Sequence, residues 1–152
     1  MEKFKFKSKA QTLLQLYKFG IINIPKTYVF TVQDFNHNSQ KILKNIQNKF
    51  SKKIAIRSSN VFEDNATASF AGKFESILNI KSKDIYLVKK SINKVINSYK
   101  NFKNLGNEIL VQSMIENVTL SGVCTTCDLE NYFPFYQINY SVGKDTTIVT
   151  SG

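Results

Sequence analysis

A chain of 152 residues buries roughly 70% of the surface its unfolded form exposes, enough for one domain with a real core and too little for a second complete one. An apolar fraction of 42%, with 12 Phe and 7 Tyr, excludes a disordered polypeptide. The net charge of +10 attracts anions in general, but the lysines are scattered from Lys3 to Lys144, with no run longer than Lys52-Lys53 or Lys89-Lys90. That pattern describes a solvated lysine-rich surface and gives no nucleic-acid-binding tract.

In chain order, Ala10, Leu13, Leu14 and Tyr17 recur at helical spacing, with Ser8 as cap and Gly20 as stop, which predicts an amphipathic helix. After Pro25 the β-branched and aromatic run Thr27 to Val32 predicts a strand. Asp34 to Ser39 reads as a turn into a second helix on Ile42, Leu43, Ile46 and Phe50. Ile54-Ala-Ile is a short buried strand leading into Arg57-Ser-Ser, and Asn60 to Gly72 a small-residue polar loop. Glu75 to Ile80 can pair back as a strand. A third helix is expected from about Ser82 to Tyr99 on Ile85, Val88, Ile92, Val95, Ile96 and Tyr99. Strands follow at Ile109 to Ile115, Val118 to Thr126, Phe133 to Ser141 and Thr146 to Thr150. The order implies an α+β fold with a largely antiparallel sheet flanked by helices. Stopping at Ser151-Gly152 after a β-like run, the chain reads as part of a longer polypeptide.

No stretch reaches the ~20 apolar residues of a membrane span, and the start lacks the apolar core of a signal peptide, so a cytoplasmic protein without a membrane partner is expected. Cys124-Thr-Thr-Cys127 has a spacing used by zinc sites and redox pairs, but a structural zinc takes four ligands and His37 is the only histidine. Inert, buried or half-buried thiols and no metal are therefore expected. His37, within Asn-His-Asn on an expected turn, reads as a surface residue.

All 21 basic residues are lysine except Arg57, so that position asks for a reason. A guanidinium holds two phosphate oxygens at once, which an ammonium cannot do. Residue chemistry alone leaves two readings open, a phosphate ligand or an ion pair with Glu63 or Asp64. In Ala66 to Gly72, small and hydroxyl residues allow backbone amides to approach a polyphosphate, or form an ordinary surface loop.

The ungapped run Arg57-Ser-Ser-Asn-Val-Phe-Glu-Asp-Asn-Ala-Thr-Ala-Ser-Phe-Ala-Gly-Lys-Phe-Glu-Ser-Ile-Leu-Asn-Ile resembles the segment R-S-S-A-T-x-E-D-x-x-x-A-S-F-A-G-x-x-E/D-T-x-L-N-V of the phosphoenolpyruvate synthase and pyruvate phosphate dikinase family. Ser8-Lys9-Ala-Gln-Thr-Leu resembles that family's G-G-K-x-x-x-L helix start. Val111-Gln-Ser-Met-Ile and Leu120-Ser-Gly-Val resemble its V-Q-x-M-V and x-S-G-V elements.

The resemblance implies a partial ATP-grasp nucleotide-binding domain, with a first lobe at 1–107 and the first strands of a second at 108–152. It implies that Lys9 and Arg57 neutralise ATP phosphates, that Gly72 offers a backbone amide in a mobile loop, that Ser76 stands at the family's threonine, and that Gln112 enters the nucleotide hinge. ATP would be the cofactor, with magnesium ligands and a phosphorylatable histidine outside this chain, so the fragment alone lacks complete catalytic machinery. Such cationic, amide-rich sets suit phosphoryl transfer, which is mainly positioning and charge stabilisation.

The implied activity is an ATP-dependent phosphotransferase that phosphorylates a histidine and then a small-molecule acceptor such as pyruvate or an amide like that of glutamine. The ending Tyr136-Gln-Ile-Asn-Tyr with Asp145 to Gly152 is similar to the polysaccharide-associated glutamine kinase-like branch. The alternative is a non-catalytic nucleotide-binding or interaction module. Two departures stand out: Ser8 replaces a family glycine, and Cys124 to Cys127 replaces a stretch that carries an aromatic and no thiols.

Overall fold

The structure, a computed structural model, describes residues 7–20, 22–60, 75–99, 106–146 and 148–149. Its elements run α1 (Lys9–Phe19), β1 (Thr27–Thr31), α2 (Val32–Lys49), β2 (Lys53–Ser59), β3 (Ser76–Lys81), α3 (Ile85–Ser98), β4 (Glu108–Ser113), β5 (Leu120–Thr125) and β6 (Gln137–Val142). The fold is α+β, with antiparallel pairing in both sheets. It divides into two compact units, Met1–Met114 and Ile115–Gly152.

In the first unit four strands lie in the order β1-β4-β2-β3. β4 pairs with β1 (Phe30 opposite Ile109) and with β2 (Ile56 opposite Val111). That double pairing makes β4 a central strand of the first sheet, and the first compact unit runs through Met114. Strand alternation then sorts the side chains. Phe30, Ile54, Ile56, Ile80, Ile109 and Val111 point to one face, where they join Ile42, Leu43 and Ile46 of α2 and Val88, Ile92 and Val95 of α3 in a single buried core. Fully burying one such side chain stabilises the fold by about 1.5–3 kcal/mol.

A bulge in β3 completes this core. Ile54 pairs with Ile80 and Ile56 with Ile77, so Leu78 and Asn79 together oppose the single residue between Ile54 and Ile56. Strict alternation would send Ile77 and Ile80 to opposite faces. The extra residue, with Asn79 in the left-handed conformation at φ 61°, lets both face the helices.

The helices depart from expectation at their starts. α2 begins at Val32, where a turn at 34–39 was expected, because Thr31 and Asp34 form a reciprocal capping box that nucleates the first turn. The expected irregularity survives as a kink at Asn38 (φ −135°, ψ 41°). The His37 Nδ1 lies 2.7 Å from the Gln33 carbonyl, and the residue is exposed, as expected. α3 starts three residues later than Ser82, because the Ser82 hydroxyl is buried donating to the Phe50 carbonyl while Asp84 accepts from the Leu87 amide as cap. α1 keeps its Ser8 cap and its Gly20 stop at φ 65°. Of its apolar stripe, however, only Ala10 is buried, and Tyr17 is 67% exposed.

In the second unit β5 and β6 form an antiparallel ribbon, with Leu120 opposite Val142 and Cys124 opposite Ile138. Leu120, Gly122, Cys124, Ile138, Tyr140 and Val142 share one face, whereas Ser121, Thr125, Gln137, Asn139 and Ser141 share the other with Val123. A Cβ on Gly122 would meet the Asn139 carbonyl oxygen at 2.6 Å. Both cysteines are free thiols. Cys124 is exposed, contrary to the expectation of a buried or half-buried thiol, whereas Cys127 is half-buried as expected. The described residues of 146–150 form bends and turns, where a strand was expected.

Candidate functional site

The sheet face turned away from the core carries the candidate residues. Because Ile54 and Ile56 face the core, Ala55, Arg57 and Ser59 of β2 face the other way, as do Glu108, Leu110 and Gln112 of β4. Arg57 lies opposite Leu110 on one side and Ser76 on the other, and Gln112 lies opposite Ala55. Three predicted site residues, Arg57, Ser76 and Gln112, therefore share one face around an apolar floor of Ala55 and Leu110, at 3% and 0% exposure. Diagonal neighbours such as Arg57 and Gln112 sit roughly 7–8 Å apart at the backbone, within reach of one bound molecule.

Arg57 is half-buried. Its Nε is shielded from solvent and meets no hydrogen-bond partner among the described residues. Leaving a buried donor unpaired costs about 1–3 kcal/mol, more for a charged group, so the position is suited to an anion that brings its own acceptors. The ion pair envisaged with Glu63 or Asp64 falls outside the described residues, as does Gly72. Ser76 is exposed and Gln112 half-buried.

Lys9 opens α1, and the first turn of that helix is bonded onto the same face. The Ala10 amide donates to the Ser59 Oγ at 2.8 Å, and the Ser8 Oγ donates to the Glu108 Oε2 at 2.5 Å. The Gln11 side-chain amide donates to the other Glu108 oxygen. The Ser8 hydroxyl also accepts from the Gln11 amide at 3.3 Å. Ser8 is thus a helix cap, 1% exposed and engaged with its own surroundings.

A second tie fixes the strands beneath. Ser59 and Glu108 are register partners at the end of the β2–β4 ladder. The Tyr99 hydroxyl, arriving from the end of α3, accepts from the Ser59 amide at 2.7 Å and donates to the Glu108 carbonyl at 2.7 Å. Sequence reasoning missed Ser59, Tyr99 and Glu108. The signal was an acid opening the otherwise apolar run Glu108-Ile-Leu-Val, a pattern that asks what neutralises it.

The described residues hold no group of three or more His, Cys, Asp or Glu that could bind a metal ion, and both Glu108 oxygens are already engaged. This set does not fit magnesium. None of the described helices is long and apolar enough to cross a membrane.

Residues 32–151 match the sequence model of one family, described as pyruvate phosphate dikinase, AMP/ATP-binding domain. The match takes in Arg57, Gly72, Ser76 and Gln112 and begins after Lys9. The chain matches no curated protein and no solved structure.

Proposed function

Since the chain belongs to the family of the pyruvate phosphate dikinase AMP/ATP-binding domain, we propose that its first unit forms one wall of an ATP site of the ATP-grasp type, within a dikinase-type phosphotransferase. The observation that carries this reading is the convergence of Arg57, Ser76 and Gln112 on one sheet face, with the first turn of α1 bonded to its end.

In this reading Arg57 binds phosphate oxygens through its fork, Lys9 adds a second cation, and Ser76 offers a hydroxyl opposite Arg57. Gln112 reads the base or ribose from the far end of the face, and a Gly72 amide closes over the phosphates. The second unit supplies the opening strands of the other lobe. Phosphoryl transfer to a histidine, and from it to an acceptor such as pyruvate or the amide of glutamine, belongs to the same proposal. The histidine of this reading lies outside the chain, and His37, exposed on α2 with its Nδ1 against the Gln33 carbonyl, has no role in it. Magnesium has no fitting ligand set among the described residues, and no step here depends on it.

Calorimetric titration with ATP and AMP tests the reading. ATP is expected to bind saturably and more tightly than AMP, because the additional phosphates reach the cations, and Arg57→Ala is expected to erase that preference. Equal affinity for the two nucleotides, or none for either, would refute it.

A further inference from the structure

Glu108 is the only charged side chain among the buried described residues, at 9% exposure. A buried carboxylate is costly unless its oxygens are bonded, and an apolar residue would fill the same volume without that cost. Here both oxygens are used, and both donors, Ser8 and Gln11, belong to the start of one helix. The negative charge also lies at the positive end of the α1 dipole, where it is favoured.

This arrangement determines what α1 can offer a ligand. A helix N-terminus binds anions through its free amides, but the Ala10 amide is taken by Ser59, the Gln11 amide by Ser8, and the place an anion would occupy is next to the Glu108 carboxylate. The helix start is therefore closed as a phosphate cradle, and its remaining cationic contribution is the side chain of Lys9, held between Ser8 and Ala10. Two acceptors on one carboxylate fix the helix in rotation as well as position, because Ser8 and Gln11 lie a turn apart. The backbone of the anchor is tied in turn, since the Tyr99 hydroxyl bonds both the Glu108 carbonyl and the Ser59 amide.

We infer that Glu108 is a positioning residue for nucleotide binding: by holding the first turn of α1 on the sheet, it aims Lys9 at the phosphates that Arg57 binds. This rests on the ATP-site reading above and extends it to a residue that touches no ligand. The distinguishing property is that Glu108 acts through Lys9, so the two must be coupled.

The experiment is a double-mutant cycle in the full chain, reading ATP affinity by calorimetry and thermal midpoint in parallel. Glu108→Ala is expected to weaken ATP binding on the order of tenfold, the scale of a small misplacement of a binding group. In a Lys9→Met background the same substitution is expected to leave ATP affinity unchanged while still lowering the midpoint. Glu108→Gln, which keeps an acceptor for Gln11 and a partner for Ser8, is expected to restore most of the affinity. Ser8→Ala, a milder loosening of the same anchor, gives the coupling if Glu108→Ala fails to fold.

Additive effects of the Lys9 and Glu108 substitutions on affinity, or a midpoint shift without any affinity change, would overturn the positioning role and leave the ATP site standing. A wild-type chain that does not bind ATP sinks both.

Discussion

Arg57 and Ser76 are register partners across β2 and β3, on the sheet face that points away from the hydrophobic core. Their side chains are thereby held side by side, within reach of a common ligand, by backbone pairing alone. The 18 residues between them include all of 61–74, which lie outside the described residues, and it is the ladder that sets the two side by side.

The proposed phosphate role requires a guanidinium at position 57. Arg57→Lys keeps the charge and loses the fork, and a lost bidentate contact of about 1.4 kcal/mol already corresponds to tenfold. ATP affinity in that variant is expected to fall by about tenfold or more with the thermal midpoint nearly unchanged. A titration showing wild-type affinity would remove Arg57 from the phosphate site.

Tyr99→Phe deletes one hydroxyl and orphans two buried backbone groups, the Ser59 amide and the Glu108 carbonyl. The expected loss is about 1–3 kcal/mol of folding stability. Native-state hydrogen exchange should show the Ser59 amide among the residues most affected. Unaltered exchange there would mean the hydroxyl is not the working partner.

Asp34 provides a pH signature. Hydrogen bonds from the Thr31 side chain and amide hold its carboxyl below the unfolded value of 3.8. A depressed folded pKa contributes stability that is present above 3.8 and lost as the pH falls through the folded value. Asp34→Asn should therefore be less stable than wild type at neutral pH, with the gap closing in acid below 3.8. Urea midpoints across that range check it, and a gap independent of pH would contradict the capping role.

At Asn79 the backbone is left-handed, which a residue with an ordinary Cβ adopts at a cost of about 1–2 kcal/mol. Asn79→Ala should lose close to the lower figure, and Asn79→Gly should lose much less. If alanine is tolerated as well as glycine, β3 does not need its bulge to bring Ile77 and Ile80 to the same side.

Much of this was legible in the residues. The stripe Val88, Ile92, Val95 forecasts α3, since a period near 3.6 leaves one buried face, and Ile54-Ala-Ile forecasts the centre of β2. The convergence of Arg57, Ser76 and Gln112 needed one thing more, the register, which local sequence does not encode. The bulge was hidden because Ile77 and Ile80, three apart, break the period of two that marks one face of a strand. The anchoring of α1 was hidden for a different reason: Ser8 and Glu108 are 100 residues apart in sequence, and a hydrogen bond of that range leaves no periodic trace. Gly72, another candidate, lies outside the described residues.

Gly122 works like a keyed slot. Its missing side chain admits the Asn139 carbonyl at a distance no Cβ could share, and a slip of one residue would bring Ser121 or Val123 to that place with an atom too many. The ribbon of β5 and β6 is in this way held against a one-residue slip, the shift that would mix its oily side, with Leu120, Ile138, Tyr140 and Val142, and its wet side, with Ser121, Asn139 and Ser141.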